Sequence, residues 1–265
     1  MILRSDQSLP FPSDGFARMK VCFGHQSVGA DIMKAFSVLT ERRLEVIETT
    51  DPEAFQRSLF AHFRVGHNCD PFSKCQDFAR VMESGVGDRV DVAFFKFCYV
   101  DITSDTDVDA LFLNYQGTMA SLSEKYPKVT FLHVTAPLIR VARGAVGWLR
   151  EKTGRVNRER EDQSRRHAFN RLLRDAFGSS GRLFDLAEAE STFPDGAPAS
   201  FSHLGNPVPT IVPEYTEDGG HLNPQGAERV ASLLLSCLSA AVQQAGLSLV
   251  GIETGKDMND ANYSV

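Results

Sequence analysis

Short apolar runs, rich in β-branched and aromatic residues, alternate along the chain with longer segments of helical periodicity. Runs of this length and near-continuous apolar character are typical of strands that are covered on both faces of a parallel sheet. Five such runs predict strands, at Met19–Phe23, Leu44–Thr49, Val90–Phe97, Lys128–Thr135 and Arg182–Leu186. Their alternation with helical segments favours βαβ units and therefore an α/β fold.

The segments between these runs predict helices at Val28–Leu39, Phe72–Ser84, Val108–Tyr126, Gln163–Phe177 and Pro224–Ala245. Such a set suits a three-layer α/β/α sandwich around a five-stranded parallel sheet of flavodoxin-like order, 2-1-3-4-5. In that order the winding reverses beside the first strand, and ligands bind outside the carboxyl ends of strands at such a point. Chemistry is therefore expected first at the end of the first strand.

The chain is expected to form one domain over residues 1–250, because 265 residues with 42% hydrophobic content suffice for one core. Segment 150–167 mixes both charge signs and is interpreted as a solvated loop and helix face, with a basic patch for an anionic substrate as the alternative. Segment 191–220 is rich in proline and glycine, and a long loop that forms a lid or wall over the site is expected there. The polar segment 251–265 is expected to be a flexible tail.

Acidic residues outnumber basic ones, 34 against 28, and the formal net charge is -6. Because no large basic stripe is present, nucleic acid is not expected as a partner. No run of ~20 apolar residues and no apolar leader is found, so membrane association is not expected either.

The five cysteines are odd in number and scattered, which fits the reduced thiols of a cytoplasmic protein. No feature of the sequence indicates an oligomeric state.

A first candidate for chemistry is Ser27, in the segment VCFGHQSVG that leads from a strand through a glycine into a helix. At the carboxyl end of the strand its hydroxyl can point outward. Its own backbone N–H and the helix dipole can stabilise negative charge on a bound acyl oxygen. Serine is also favoured at helix N-caps, so a purely structural capping role is the alternative.

A second candidate is the segment Asp218-Gly219-Gly220-His221, almost two hundred residues later. Asn223 as N-cap and Pro224 at the first helical position fix the start of the last helix, so this pair lies in the turn before it. A carboxylate three residues before an imidazole can accept the Nδ1 proton and leave Nε2 as a base. A surface turn with an incidental histidine is the alternative. Serine needs such a base to become nucleophilic, so the two candidates support each other.

The combination resembles the SGNH (GDSL) hydrolase superfamily: a serine after the first strand, a DxxH before the last helix, and a flavodoxin-like strand order between them. The resemblance spans nearly the whole chain. It implies a serine esterase or acylhydrolase that acts on a small-molecule or carbohydrate acyl ester and needs no metal or cofactor. Ser27, Asp218 and His221 match the family's triad. Some family members are acyl transferases, so O-acyl transfer by the same triad is an open alternative.

Two of the family's other motifs are altered in this chain. In the family, a glycine of the second block adds its N–H to the oxyanion hole, and Gly66 stands at a suitable distance after Ser27. The third block, normally GxND, is replaced by KFCYVD, so the usual asparagine is missing. We hypothesise that Asn68 supplies that donor, giving an oxyanion hole of Ser27, Gly66 and Asn68; an Asx turn is the structural alternative for Asn68.

GHQS in place of GDS puts His25 two residues before Ser27, where it either lines the substrate pocket or hydrogen-bonds to the backbone. Lys96, Cys98 and Tyr99 are expected beside the site, at the end of the third predicted strand, as possible pocket-lining residues. Phosphate-binding loops of the GxxxxGK[ST] and GxGxxG types are absent after the first strand, which disfavours kinases and dehydrogenases.

Two rival functions stay open on the sequence. His25, His67 and His221 with Asp218 and Cys69 are residue types that bind zinc, although their spacing matches no strong zinc motif. The altered blocks also fit a catalytically degenerate module that binds carbohydrate or a partner protein.

Overall fold

The computed structural model describes residues 19–40, 43–141 and 155–244. Its strands are β1 Lys20–His25, β2 Val46–Glu48, β3 Leu59–Arg64, β4 Val92–Phe95, β5 Thr130–Phe131, β6 His133–Val134, β7 Leu183–Phe184, β8 Ser200–His203 and β9 Asn206–Pro209. Its α-helices are α1 Ser27–Leu39, α2 Pro71–Val81, α3 Val108–Lys125, α4 Arg155–Phe177, α5 Leu186–Ser191 and α6 Pro224–Gln244. Within the described ranges, no helix combines the length and apolar character needed to cross a bilayer.

The five-stranded sheet is parallel and has the order β2-β3-β1-β4-β5. The single run predicted over 128–135 forms both β5 and β6, and β6 pairs in parallel with β7. The α/β class and the relative order 2-1-3-4-5 of the predicted strands are therefore confirmed. The structure adds one strand that was not predicted, β3, which lies between β2 and β1. Its register with β1 pairs Gly24 with Phe63 and His25 with Arg64.

Helices cover both faces of this sheet. On one face, a ladder of Phe60, Phe23 and Phe94 crosses three neighbouring strands and belongs to the same core cluster as residues of α1, α5 and α6. The residues one position along each strand face the opposite way, towards a second cluster with α2, α3 and α4. Both α1 and α6 begin at the carboxyl edge of the sheet, next to the end of β1, which is where the candidate chemistry was expected.

Two segments differ from their predicted character. The charged segment 150–167 lies partly in α4, where Arg166 is only 2% exposed instead of solvated. Segment 191–220 contains an antiparallel hairpin of β8 and β9 and a short 3-10 turn at Pro213–Tyr215, instead of a continuous loop. Segment 251–265, predicted as a tail, lies outside the described residues.

Candidate active site

The side chains of Ser27, His221 and Asp218 form one hydrogen-bonded chain. His221 Nε2 lies 2.9 Å from Ser27 Oγ, and His221 Nδ1 lies 2.6 Å from Asp218 Oδ2. A carboxylate only accepts, so Nδ1 carries the proton and Nε2 offers its lone pair to the serine hydroxyl. This is the nucleophile, base and orienter geometry that acyl transfer requires.

Ser27 occupies the first position of α1, and its hydroxyl does not cap the helix. The N-cap residue is Gln26, which makes no side-chain capping bond, whereas Ser27 Oγ contacts His221. Gln26 instead donates from Nε2 to the carbonyls of Val65 and Gly66, at 2.9 Å each. These bonds fasten the turn that carries Ser27 to the turn that follows β3.

His25 is packed beneath that turn. Its Nδ1 lies 2.7 Å from the Gln26 carbonyl and must donate, so Nε2 accepts from Nδ1 of His62 at 3.0 Å. Burial lowers the pKa of His25 to about 3, so the ring is neutral. A Cβ at Gly29 would stand 2.3 Å from the Cβ of His25, and only glycine permits this approach of α1.

The turn before α6 is organised around Asp218. Its Oδ1 accepts the N–H groups of Gly220 and His221, at 2.9 and 2.8 Å, while Oδ2 faces the imidazole. Partial desolvation opposes the charge, but these hydrogen bonds outweigh it and hold the pKa of Asp218 well below its ordinary value. The carboxylate is therefore ionised at neutral pH, as an orienter of histidine must be. The predicted helix start is confirmed, with Asn223 Oδ1 accepting from Gly226 N and α6 beginning at Pro224.

Tyr99 packs against both Gly220 and His221. Its ring meets the imidazole edge to face at a centroid distance of 5.7 Å, and a Cβ at Gly220 would lie 2.8 Å from the tyrosine Cζ. The buried guanidinium of Arg166 fixes this tyrosine by donating from Nη1 to the carbonyls of Tyr99 and Ile102, at 2.7 and 3.0 Å. Tyr99 thus lies beside the triad, as expected, and α4 supplies a support that the sequence did not reveal.

The other three residues expected to line the pocket are in the interior. His25 is 3% exposed, and Lys96 and Cys98 are each 1% exposed, so they do not line an open pocket. His25 ends β1, and Lys96 and Cys98 follow directly after β4, where the chain is still inside the protein core. Lys96 Nζ donates to the Phe97 carbonyl at 3.3 Å, and burial lowers the pKa of Lys96.

The three predicted oxyanion donors differ in whether the donor group is free to bind an acyl oxygen. Ser27 N–H is at the start of α1, where helix N–H groups have no intrahelical partner. Gly66 N–H instead donates to Asp77 Oδ2 at 2.9 Å, and a donor engaged in this way cannot bind an acyl oxygen. We therefore do not assign Gly66 to an oxyanion hole. Asn68 is exposed, and its Oδ1 accepts from Lys74 at 3.2 Å, which leaves the NH2 group as the end that can donate.

The loop that bears Asn68 is held from below by a buried ion pair. Lys74 Nζ lies 2.7 Å from Asp101 Oδ2, and both side chains are fully buried. Asp101 Oδ1 also accepts from Cys69 N at 3.0 Å, where the backbone has a positive φ of 65°. The loop after β3 and the loop after β4 are thereby joined. No Asx turn is made by Asn68, and it is Asp70 that caps α2.

Among the residues of the metal alternative, His25, His221 and Asp218 are engaged with other partners. Both ring nitrogens of His25 and of His221 have hydrogen-bond partners within the protein. Among the described residues, no group of three or more histidine, cysteine, aspartate or glutamate side chains could hold a metal ion.

Comparison with known proteins gave structural likenesses only. No family model and no curated protein matches the sequence. A lipase/acylhydrolase from Enterococcus faecalis is 13% identical, with a TM-score of 0.49 over 83% of this chain and 95% of its own. The acetyl xylan esterase AlAXEase is 17% identical, with a TM-score of 0.46 over 83% of this chain and 100% of its own.

A third solved structure is the salicylyl-acyltransferase SsfX3 from a tetracycline biosynthetic pathway. It is 10% identical, with a TM-score of 0.41 over 84% of this chain and 55% of its own. At TM-scores below 0.5 these likenesses carry no functional argument, so a function for this chain has to be argued from its own side chains.

Proposed function

We propose that this chain is a serine ester hydrolase, a divergent SGNH-type enzyme that cleaves an O-acyl ester through an acyl-enzyme intermediate. The observation that carries the proposal is the continuous hydrogen-bonded chain from Ser27 Oγ through His221 to Asp218. These three residues come from two turns 191 or more positions apart, both at the carboxyl edge of the sheet. A chance surface contact would not be expected to join a serine, a correctly oriented imidazole and an ionised carboxylate.

In the proposed reaction, His221 Nε2 takes the Ser27 proton as Oγ bonds to the ester carbonyl carbon. Asp218 stabilises the imidazolium that forms. The tetrahedral intermediate collapses as the bond to the leaving oxygen breaks, and His221 returns the proton to that oxygen, which releases the alcohol. His221 then takes a proton from water as the water oxygen attacks the acyl carbonyl carbon. It returns that proton to Ser27 Oγ as the bond between Oγ and the acyl carbon breaks, which releases the carboxylic acid and regenerates Ser27.

The oxyanion of both tetrahedral intermediates needs preorganised donors. We propose the N–H of Ser27 and the side-chain amide of Asn68, whose orientation the Lys74 contact supports. Removing one such donor typically lowers turnover by ~10²–10³-fold. Asn68→Ala is expected to lose activity on that scale, and a near-normal rate would remove Asn68 from the oxyanion hole.

Hydrolysis is favoured over transfer because Ser27 is exposed and His221 and Asp218 are 40% and 57% exposed as side chains. An acyl-enzyme at this position is open to water. Transfer to a second alcohol would instead benefit from a site that excludes water. The acyl transferase alternative can be checked by adding alcohols to the assay and measuring ester products.

The proposal is tested with a panel of p-nitrophenyl esters and acetylated sugars, measured for wild-type protein and for Ser27→Ala. We expect ester cleavage that falls to background in Ser27→Ala. Ser123→Ala is the matched control, because among the described residues the hydroxyl of Ser123 bonds to the Met119 carbonyl of its own helix, α3, and to no other group. Absence of cleavage across the panel, or cleavage that survives Ser27→Ala, would refute the proposal and favour the binding module.

A further inference from the structure

The peptide group between Gln26 and Ser27 carries the N–H that we propose as an oxyanion donor. A peptide group is planar and trans, so its N–H and its carbonyl point in opposite directions. The carbonyl oxygen of Gln26 lies 2.7 Å from Nδ1 of His25, and it also accepts the N–H of Ala30, in the first turn of α1, at 3.2 Å. These two bonds fix the carbonyl end of the group, and they therefore set the direction in which the Ser27 N–H points.

A second histidine holds the ring of His25. His62, on β3, donates from Nδ1 to Nε2 of His25 at 3.0 Å, and the two ring centroids lie 5.0 Å apart. A neutral imidazole whose Nε2 accepts a hydrogen bond carries its only proton on Nδ1. The bond from His62 therefore stabilises the one tautomer of His25 that can donate to the Gln26 carbonyl.

Packing alone does not account for a histidine at position 25. The side chain is 3% exposed, and its ring centroid lies 4.9 Å from that of Phe23, a member of the apolar cluster on this face of the sheet. An apolar side chain would fill such a place without the cost of burying two ring nitrogens. That cost is offset because both nitrogens of His25 are hydrogen-bonded, and one of the two bonds reaches the peptide group of the proposed nucleophile.

From this geometry we infer that His25 and His62 are positioning residues of the reaction, which aim and strengthen the oxyanion donor of Ser27. A hydrogen bond to the carbonyl of a peptide polarises the whole group, and such coupling strengthens the next bond of a chain by roughly 10–30%. In the tetrahedral intermediate the chain runs from His62 through His25 and the 26–27 peptide to the oxyanion. The inference rests on the proposed function, because only a reaction at Ser27 Oγ places an oxyanion at that N–H.

This role predicts a particular kinetic pattern. The oxyanion exists only after Oγ has attacked, so a weaker donor lowers kcat and kcat/KM equally and leaves KM unchanged. A weaker donor also reduces, in parallel, the affinity for an alkyl trifluoromethyl ketone. Ser27 Oγ bonds to the carbonyl carbon of this inhibitor while His221 takes the proton, which forms a stable hemiketal oxyanion. A merely structural role would lower the melting temperature without linking kcat to the affinity for the inhibitor.

The experiment compares a leucine and an asparagine variant at each histidine. His25→Leu fills the space without a donor, whereas His25→Asn places an NH2 group at the position of Nδ1. In His25→Leu we expect kcat and inhibitor affinity to fall ~10–100-fold, within the ~10²–10³-fold that loss of a whole oxyanion donor costs. The asparagine variant should recover most of this loss.

The same comparison at His62 keeps the test decisive even if His25→Leu does not fold, because His62 is only half-buried. His62→Leu should lower kcat and inhibitor affinity by about three- to tenfold, the effect of one neutral hydrogen bond. His62→Asn, which can still donate to His25, should recover most of that loss.

His133→Leu is the matched control. His133 is also a buried histidine, and its Nδ1 lies 2.9 Å from the hydroxyl of Tyr115, but it belongs to β6 and makes no bond to the site. Its replacement should lower the melting temperature and leave kcat and inhibitor affinity unchanged. A kcat that folded His25→Leu and His62→Leu leave unchanged would overturn the inference. So would a loss in kcat without a loss in inhibitor affinity, or a loss that neither asparagine variant reduces.

The two proposals fail in distinguishable ways. If cleavage depends on Ser27 but proceeds equally fast in the wild-type protein and in both leucine variants, the proposed function stands and the positioning role is wrong. If wild-type protein that melts cooperatively cleaves no ester, the proposed function itself fails, and the inference fails with it.

Discussion

The substitution Asp218→Asn tests the proposed role of the turn before α6. Oδ1 of Asp218 accepts two backbone N–H groups, from Gly220 and His221, so the oxygen of the new amide must stay at that position. The NH2 group is then forced to the Oδ2 position, facing Nδ1 of His221. Because NH2 donates, Nδ1 has to accept, and the ring proton moves to Nε2. In that tautomer His221 cannot take a proton from Ser27.

The same exchange in a serine protease triad lowers turnover by ~10⁴-fold, about 5 kcal/mol of transition-state stabilisation. We expect a loss of that order in steady-state hydrolysis of a p-nitrophenyl ester, with an unchanged circular dichroism spectrum. Asp107→Asn is the matched control, since Asp107 caps α3 by accepting from Ala110 N and asparagine caps equally well. Turnover within tenfold of the wild-type rate for Asp218→Asn would refute the tautomer argument.

Two further predictions concern stability. Gly29→Ala should lower the melting temperature, because the Cβ of the new alanine would overlap His25 at a cost of ~1–3 kcal/mol. Gly117→Ala should raise the melting temperature, because a Cβ at Gly117 would have no atom within 4 Å and alanine is favoured over glycine in a helix. Equal shifts of the two melting temperatures would contradict the packing described. Burial raises the pKa of Glu190 to about 8, so the folded protein holds this proton more tightly than the unfolded chain. Its stabilising contribution is complete below about pH 4.5 and is lost as the pH rises through about 8. In urea titrations at pH 5 and pH 8, Glu190→Gln should therefore lose less stability than wild type, and an identical loss would be inconsistent with a protonated Glu190.

The sequence was sufficient for features with strong local signals. Most strands are short apolar runs, and the last helix begins at an Asn-Pro pair whose capping chemistry is readable from the letters alone. Ser27 was found because it lies where a predicted strand leads into a helix, and His221 because it lies in the turn before the last helix. What the sequence could not supply was their mutual distance, which depends on the packing of α1 against α6.

The features that were missed depend on contacts far apart in the sequence. Strand β3 is six residues long, and His62 and Arg64 interrupt its apolar pattern, while its central position is fixed by pairing with β1 and β2. The burial of Arg166 depends on carbonyls 64 and 67 residues away. The N–H of Gly66 was expected to be available, but Asp77 on α2 accepts it. Hydrogen-bond partners of this kind are determined by the tertiary structure and leave no local pattern in the sequence.

The central claim, that Ser27 is a nucleophile activated by His221, is tested most directly by covalent labelling with a fluorophosphonate followed by peptide mass spectrometry. The account predicts stoichiometric modification of the peptide that contains Ser27, much slower labelling in Asp218→Asn, and none in Ser27→Ala. Well-folded wild-type protein that stays unlabelled, or a label found on another residue, would contradict it.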